Sequence, residues 1–385
     1  MSFTCTIDWS RWREHGDDVA QRVHAATSAH LVPVVKGNGY GLGQATLANE
    51  AMRMGADTIA VGTVFEAADT LHLFRGKILV LEPFDPRDTA AAKAWWHLAQ
   101  QPEHARVIRT VASVEGLEPL LAGPGPVHVV LEGRTSMWRF GFEESAMLDL
   151  FARADVRTAL REGRLTILGL ALHEPIAQPA DEPKLVGVDA GSARVREVVR
   201  WAGLWQAETQ VWPDSMAPSH AVFTSHLDDA ELAAVATAVS DCQIRARVGT
   251  RLWLGDRRAF TVQATVLAVH PVSEGTHVGY RQRTGPKDGT LIVVSGGTAH
   301  GIGLTAPSPA ASVRQRVVTA GTGVLDAAGR ALSPFIWGGK QRWFAEPPHQ
   351  HHSMIWIPRG VAIPRVGDPM TADVRFTTTT FDAVL

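Results

Sequence analysis

From about residue 30 to residue 250 the chain alternates short, nearly continuous apolar runs with longer amphipathic stretches. The runs are LVPVV (31–35), TIAVG (58–62), KILVLE (77–82), RVIRTV (106–111), PVHVVLE (126–132), TILGLALH (166–173), HAVFTS (220–225) and IRARV (244–248). Between them lie segments of helical period, such as QATLANEAMRMGA, VFEAADTLHLF, GSARVREVVRWAGLWQAE and DDAELAAVATAV. Apolar strands that alternate with helices predict a parallel sheet covered on both faces. Eight of them predict a (β/α)8 TIM-type barrel rather than a six-stranded open sheet. RVIRTV fits least well, because two arginines interrupt it. After about residue 255 the pattern changes: FTVQATVLAVHPV, GTLIVVSGG, SMIWIP and ADVRFTTTTF alternate or are β-branched, with Gly and Pro between them. The expected architecture is α/β: a barrel over residues 1–252 and a mainly β C-terminal domain over 253–385, with the extreme N-terminus free to pack on the latter.

Composition narrows the function more than the fold. The 37 Lys+Arg against 39 Asp+Glu leave no electrostatic footprint for nucleic acid. A 45% hydrophobic content excludes a disordered chain. Cys5 and Cys242 fit neither a disulfide framework nor a zinc pattern, which favours a reducing compartment. The start, MSFTCTIDWSRW, has no basic-then-apolar leader, and no uncharged apolar run reaches the roughly 18 residues of a membrane span. A cytoplasmic protein is therefore expected, with no nucleic-acid or membrane partner. One imbalance stands out: 12 Trp but only 2 Tyr, Tyr40 and Tyr280.

A barrel carries its chemistry at the C-terminal ends of its strands. Those ends supply Lys36-Gly37-Asn38-Gly39-Tyr40-Gly41, then Arg134, Thr135, Ser136 and Arg139, then His173-Glu174, Thr224-Ser225-His226 and Arg247-Val248-Gly249-Thr250-Arg251. Lys36 leaves an apolar run and enters a glycine-rich turn. Partly withdrawn from water, a lysine there has a lowered pKa and a free amine able to condense with a carbonyl. The alternative is a lysine that simply leaves the strand for solvent. Other positions also have structural readings. His173 could be a core histidine, Arg139 could pair with Glu143, and Thr224 and Ser225 could cap the helix that begins near Asp228. Arg245 and Arg251 flank Arg247, and Tyr280 could belong to a β turn.

VVKGNGYGLG closely resembles the cofactor-lysine signature of the alanine racemase family, usually close to VVKANAYGHG. The resemblance continues in order along the chain. GADTIAVGTVFEAADTL and ILVLEPFDP look like the next two strand-and-helix units, TSMWRFGF like the TGMGRxG segment, and GLALHEP like the strand bearing a histidine. RVGTRLWLG resembles RPGIxLYG, and VHPVSEGTHVGYRQR resembles the β-domain segment with a catalytic tyrosine. This resemblance implies a barrel followed by a β domain, and an enzyme that uses pyridoxal 5′-phosphate.

Residue by residue, it implies that Lys36 holds the cofactor covalently, while Tyr40, Ser225, Thr250 and the backbone of Gly249 bind its phosphate. Arg247 would face the pyridine nitrogen, with His173 beside it and Arg139 near the catalytic phenol. Racemisation needs an acid/base group on each face of the substrate α-carbon. Lys36 would serve one face and Tyr280 the other. In the family that tyrosine comes from the partner subunit, so a homodimer with shared active sites is implied. The reading is an alanine racemase-like amino-acid racemase with a small-molecule amino-acid substrate, supplying a D-amino acid for a bacterial cell wall. The alternatives are a related enzyme acting on a larger amine by decarboxylation or elimination, and a cofactor-binding homologue without turnover.

The departures from the family pattern lie on the substrate side. The usual lysine of the fifth strand, which can be carbamylated to hold the arginine, has no counterpart, since VHVVLEGR supplies Val130 and Glu132. Trp138 replaces a small residue beside Arg139. The GYADGxxR segment has become SGGTAHGIG, and the segment resembling VGRxxMDQ reads FAEPPHQHHSM. The chain closes at ADVRFTTTTFDAVL, short of the strands in which the family carries another pocket-lining tyrosine. His349-Gln350-His351-His352 has the alternation of a metal site. No carboxylate or cysteine partner is evident, however, and no metal is expected. These histidines are read as lining the substrate entrance or forming a polar surface turn.

Overall fold

The computed structural model describes residues 2–29, 31–177, 192–210, 212–213, 218–284, 287–304 and 331–385. The chain divides into two compact units, Arg13–Gly39 with Gly43–Gly255, and Met1–Trp12 with Tyr40–Leu42 and Asp256–Leu385. In chain order, strand β1 (Phe3–Ile7) belongs to the second of these.

The first unit is the barrel. Its strands are β2 (Val32–Pro33), β3 (Thr58–Val61), β4 (Lys77–Pro83), β5 (Val107–Val111), β6 (Val127–Gly133), β7 (Leu165–Leu172), β8 (Ala221–Ser225) and β9 (Gln243–Val248). Each pairs in parallel with the next, β9 returns to β2, and a parallel bridge from Val34 to Ala60 closes the ring. All eight apolar runs thus become barrel strands. The interior is filled by Val32, Val34, Ala60, Leu79, Ile108 and Phe223 among others, so it is a packed core and not a pore. Full burial of such side chains stabilises the barrel by about 1.5–3 kcal/mol each.

The arginines of RVIRTV have separate solutions. Arg106 stands just before β5 and donates to the carbonyls of Phe74, Gly76 and Leu71. Arg109, inside β5, lays its guanidinium 4.4 Å from the Trp95 ring and 5.3 Å from Phe84, and burial lowers its pKa to about 10. The helix Asp229–Ala238 is capped by Asp228, which accepts the Glu231 N–H at 2.8 Å while Glu231 accepts the Asp228 N–H at 3.0 Å. Thr224 and Ser225 are therefore not needed as caps.

The second unit is built on antiparallel strands. After β10 (Phe260–Val272) come the short hairpin β11 (His277–Val278) and β12 (Arg283–Thr284), then β13 (Gly289–Ser295), β14 (Leu332–Trp337), β15 (Lys340–Phe344), β16 (His352–Pro358), β17 (Pro369–Ala372) and β18 (Ala383–Val384). Pairing runs β10–β13–β16–β15–β14–β17 and back to β10, a closed ring. The first half of β10 also pairs with β1, and β18 lies parallel to β1. Phe3 sits at the centre of an aromatic cluster with His300, Phe335 and Phe381 at 5.5–6.5 Å. The hairpin β14–β15 turns at Gly338-Gly339, a feature that alternation along the chain does not reveal. ADVRFTTTTF is not the extended strand its composition suggested. The strand ends at Ala372, and a 3-10 turn at Phe376–Thr378 buries Phe376 against Phe260 and Phe381, at 5.0 and 5.5 Å.

Gly169, within β7, has φ +148°, and a Cβ there would lie 2.3 Å from the Ala221 carbonyl oxygen of β8. Gly169→Ala is expected to cost at least about 2 kcal/mol of stability. Denaturant unfolding with an unchanged midpoint would contradict this.

Candidate active site

The barrel mouth is assembled from the C-terminal ends of its strands. The Val35 N–H bonds Ala60 O at 2.8 Å, the last rung before Lys36, and the Gly39 N–H then reaches back to Lys36 O at 3.3 Å. Glu66 braces this turn by accepting the N–H groups of Gly62 at 2.8 Å and Gly37 at 3.2 Å, and the Gln44 amide at 3.1 Å. Lys36 remains open to solvent as a residue, but the mouth partly withdraws its amine from water. That withdrawal, reinforced by the guanidiniums of Arg139 and Arg247 and opposed by Glu66, lowers its pKa below the usual lysine range.

Arg247, in β9, is buried and donates to Leu172 O, while its Nε has no hydrogen-bond partner. Its neighbours do not compete for this place: Arg245 pairs with Asp57, and Arg251 pairs with Asp229 at 2.7 Å. Glu143 pairs with Arg134 at 2.7 Å rather than with Arg139. Arg139 instead adds its charge to the field at Lys36, His173, Glu132 and Arg247. Trp138 is 76% exposed and adopts φ +55°. With Arg134, Ser136, Glu197 and Trp201 it lines an open cavity of about 560 Å³.

His173 closes β7 with its ring 4.9 Å from that of His226. Burial, then Arg247 and Arg139, push its pKa down to about 2, so the imidazole is neutral. The His226 Nδ1 lies 2.7 Å from Glu174 O, which assigns the proton to that nitrogen. Ser225 ends β8, and its N–H donates to Glu174 Oε2 at 2.9 Å, with Oγ 3.4 Å from the same oxygen. Gly249 leads into the short helix Thr250–Leu254, and its carbonyl accepts the N–H groups of Leu252 and Trp253.

Lys36, Arg139, His173 and Arg247 therefore share one electrostatic field, with Ser225 bonded to Glu174 at its edge. Tyr40 and Tyr280 belong to the other unit. Tyr40 is buried with φ +54°, whereas Tyr280 is 84% exposed.

Two carboxyls were left without a role by sequence reading. Glu174 is completely buried, its Oε1 has no partner, and burial pushes its pKa up to about 8. Glu132, at the end of β6, is likewise raised by burial, against the pull of Arg247 and Arg139. It stands on the strand from which the family lysine was found missing, in the field of the same two arginines. The signal in the sequence is adjacency: Glu174 follows His173, and Glu132 lies three positions before Thr135, where the TSMWR segment begins.

The family profile for the alanine racemase N-terminal domain matches residues 7–235. The chain belongs to the alanine racemase family. The alanine racemase of Nitratidesulfovibrio vulgaris (strain Miyazaki F) is 30% identical over 284 residues, covering 71% of this chain and 70% of that one. Among solved structures, alanine racemase from Bartonella henselae with covalently bound pyridoxal phosphate is 17% identical, with a TM-score of 0.63 over 97% of this chain and 91% of that one. The histidine racemase of Leuconostoc mesenteroides subsp. sake is 19% identical, with a TM-score of 0.57 over 96% and 87%. At these identities the structural matches establish the family's fold, a barrel with a β domain. Among the described residues no group of three or more His, Cys, Asp and Glu could hold a metal ion, and no helix is long and apolar enough to cross a membrane.

The perturbed groups give opposite pH dependences. The folded chain keeps Glu174 protonated up to about pH 8, whereas the unfolded chain releases that proton in the ordinary carboxylate range. Stability is therefore lost as pH rises across that window. His173 stays neutral down to about pH 2 when folded, so stability is lost as pH falls below the ordinary imidazole range. Glu174→Gln is expected to flatten the neutral-side fall in melting temperature and leave the acid side in place. An unchanged neutral-side slope in this variant would refute the assignment.

Proposed function

We propose that the chain is a pyridoxal 5′-phosphate-dependent amino-acid racemase. The observation that carries this reading is the Lys36 amine at the barrel mouth, its pKa lowered by burial and by the charges of Arg139 and Arg247. Three buried polar atoms without partners, Arg247 Nε, Thr224 Oγ1 and Glu174 Oε1, fit a site completed by a polar ligand. On this reading the barrel, to residue 252, holds the cofactor, and the segment from 253 supplies the second base.

When bound, the cofactor withdraws electrons from the substrate α-carbon and so acidifies its C–H bond. Lys36 would hold the cofactor until the substrate's own amine displaces it, and the freed Lys36 amine would then exchange a proton on one face of that carbon. Tyr280 serves the opposite face, with Arg139 positioned near the phenol. Arg247 would face the ring nitrogen, and because a guanidinium does not give up its proton, it would disfavour protonation there. Tyr40, Ser225, Thr250 and the backbone of Gly249 cradle the phosphate. Burial that keeps Glu174 protonated below about pH 8 removes a negative charge that would oppose an anion at Ser225. The neutral His173 completes the wall beside Arg247. Tyr280, exposed on its own unit, is free to act on a second copy, in a homodimer where Tyr280 of the partner subunit serves this Lys36. The substrate is an amino acid; alanine is the first candidate and histidine the second, since the similar racemases are named for these two.

Lys36→Ala is expected to lose the visible absorbance of the cofactor-loaded protein and to slow α-proton exchange with deuterated solvent by at least about 10³-fold. The decisive measurement is that exchange over a panel of L- and D-amino acids, with optical inversion of the product. A loaded protein that exchanges none of them, or that releases carbon dioxide, ammonia or an aldehyde instead, would rule the racemase reading out.

A further inference from the structure

Tyr280 occupies the turn of the hairpin formed by β11 and β12, two strands of two residues each. So short a hairpin has little stability of its own. An acid/base group must nevertheless be held close to its working position, since a misplacement of about 1 Å can cost about 10²-fold in rate. What holds Tyr280 is therefore a functional question, and the β unit answers it with residues from the loop between β15 and β16.

Glu346 in that loop is 2% exposed, yet its carboxylate is fully engaged. Oε1 accepts the Tyr280 N–H at 3.2 Å and Oε2 accepts the Arg281 N–H at 3.4 Å. Nε2 of His349 meets Oε1 at 2.5 Å. The approach is so close that Gly279, at φ +72°, admits no side chain: a Cβ there would lie 2.0–2.2 Å from the Glu346 carboxylate atoms. The His349 ring lies under the Tyr280 ring with centroids 4.3 Å apart and planes 36° apart. Its Nε2 is committed to Glu346, and the two rings meet by their faces, so His349 supports the phenol by packing and not by proton transfer.

His349 is itself fixed. Its N–H donates to His352 O at 2.9 Å, and its carbonyl accepts the Thr298 N–H at 2.8 Å. The next two carbonyls, of Gln350 and His351, accept from Ala299 and Gly296 at 2.9 and 3.0 Å. The SGGTAHGIG and FAEPPHQHHSM segments, both of which depart from the family pattern, are thus bolted together where β13 ends and β16 begins, and together they support one tyrosine.

We propose that Glu346 and His349 are positioning residues for Tyr280. The buried carboxylate fixes the tyrosine backbone and orients the imidazole, and the imidazole face holds the phenol outward in one direction. The inference rests on the racemase reading for its catalytic consequence, but not for its geometry.

The test uses the full-length, cofactor-loaded protein with whichever amino acid the exchange panel identifies. Each enantiomer offers its α-proton to a different base, so exchange from the two enantiomers is measured separately in single-turnover mode. His349→Ala and Glu346→Ala are expected to slow exchange from the enantiomer served by Tyr280 by at least about 30-fold, and that from the enantiomer served by Lys36 by no more than about threefold. His349→Phe keeps the ring face and is expected to recover most of the loss caused by His349→Ala. A second readout needs no turnover. With only Tyr40 and Tyr280 in the chain, ¹³C-labelled tyrosine resolves Tyr280 directly by NMR. Its ring resonances are expected to lose their shift and sharpen in His349→Ala and not in His349→Phe. Equal slowing of both enantiomers, or of neither, would overturn the proposal, as would unchanged Tyr280 resonances in His349→Ala. A wild-type protein that exchanges neither enantiomer would instead overturn the racemase reading, and the resonances would still decide the role of His349.

Discussion

Arg247 brings a positive charge into the interior of the barrel, and the electrostatics of the mouth follow from how that charge is accommodated. Its guanidinium is buried and has a single carbonyl acceptor, that of Leu172. Burial lowers its pKa, and Glu132 and Glu174 oppose that fall only to the extent that they ionise. The same field suppresses protonation of His173 and Lys36 and draws Glu132 and Glu174 back toward ionisation. A buried charge without full hydrogen bonding is costly. The chain tolerates it on strands whose backbones are already fixed by barrel pairing, which is where a functional group is held with least motion.

The barrel was legible because its signal is redundant. Each of the eight strands is an apolar run, and an error in one is corrected by the spacing of the rest, so even RVIRTV found its place. Its arginines were hard to read because their neutralisation is tertiary: Arg109 rests on Trp95 and Phe84, and Arg106 reaches carbonyls about thirty residues earlier. The β unit was less legible for the same reason. The β14–β15 hairpin and the 3-10 turn that buries Phe376 depend on partners far along the chain, and alternation alone does not distinguish a strand from a turn that buries one phenylalanine.

At the site, the motif residues could be located because local pattern and order carry them. The carboxyls could not be given roles. Glu174 and Glu132 look like ordinary acidic residues in one dimension, and only burial without a full set of partners marks them as unusual. Glu346 and His349 were hidden differently. They sit in segments that differ from the family pattern, and it takes the folded loop to bring them beneath Tyr280. On the proposed reading, the chain keeps the cofactor side close to the family pattern and rebuilds the support of the second base.

β1 lies at residues 3–7, but its partners are β10, at 260–272, and β18, at 383–384. The Phe3 N–H donates to Asp382 Oδ2 at 2.7 Å, and His300 meets the other oxygen of that carboxylate at 3.1 Å. The barrel's strands, by contrast, all fall between residues 32 and 248. During synthesis, at about 5–20 residues per second, β1 is made before every barrel strand and must wait for β10 and β18, which are made after them. It spends that interval as an unpaired edge carrying Phe3, Cys5 and Ile7, all destined for burial. The barrel can close while the β unit is still missing both neighbours of β1. The order of translation therefore separates the completion of the barrel from that of the β unit, and leaves Phe3–Ile7 without its pairing partners through that interval.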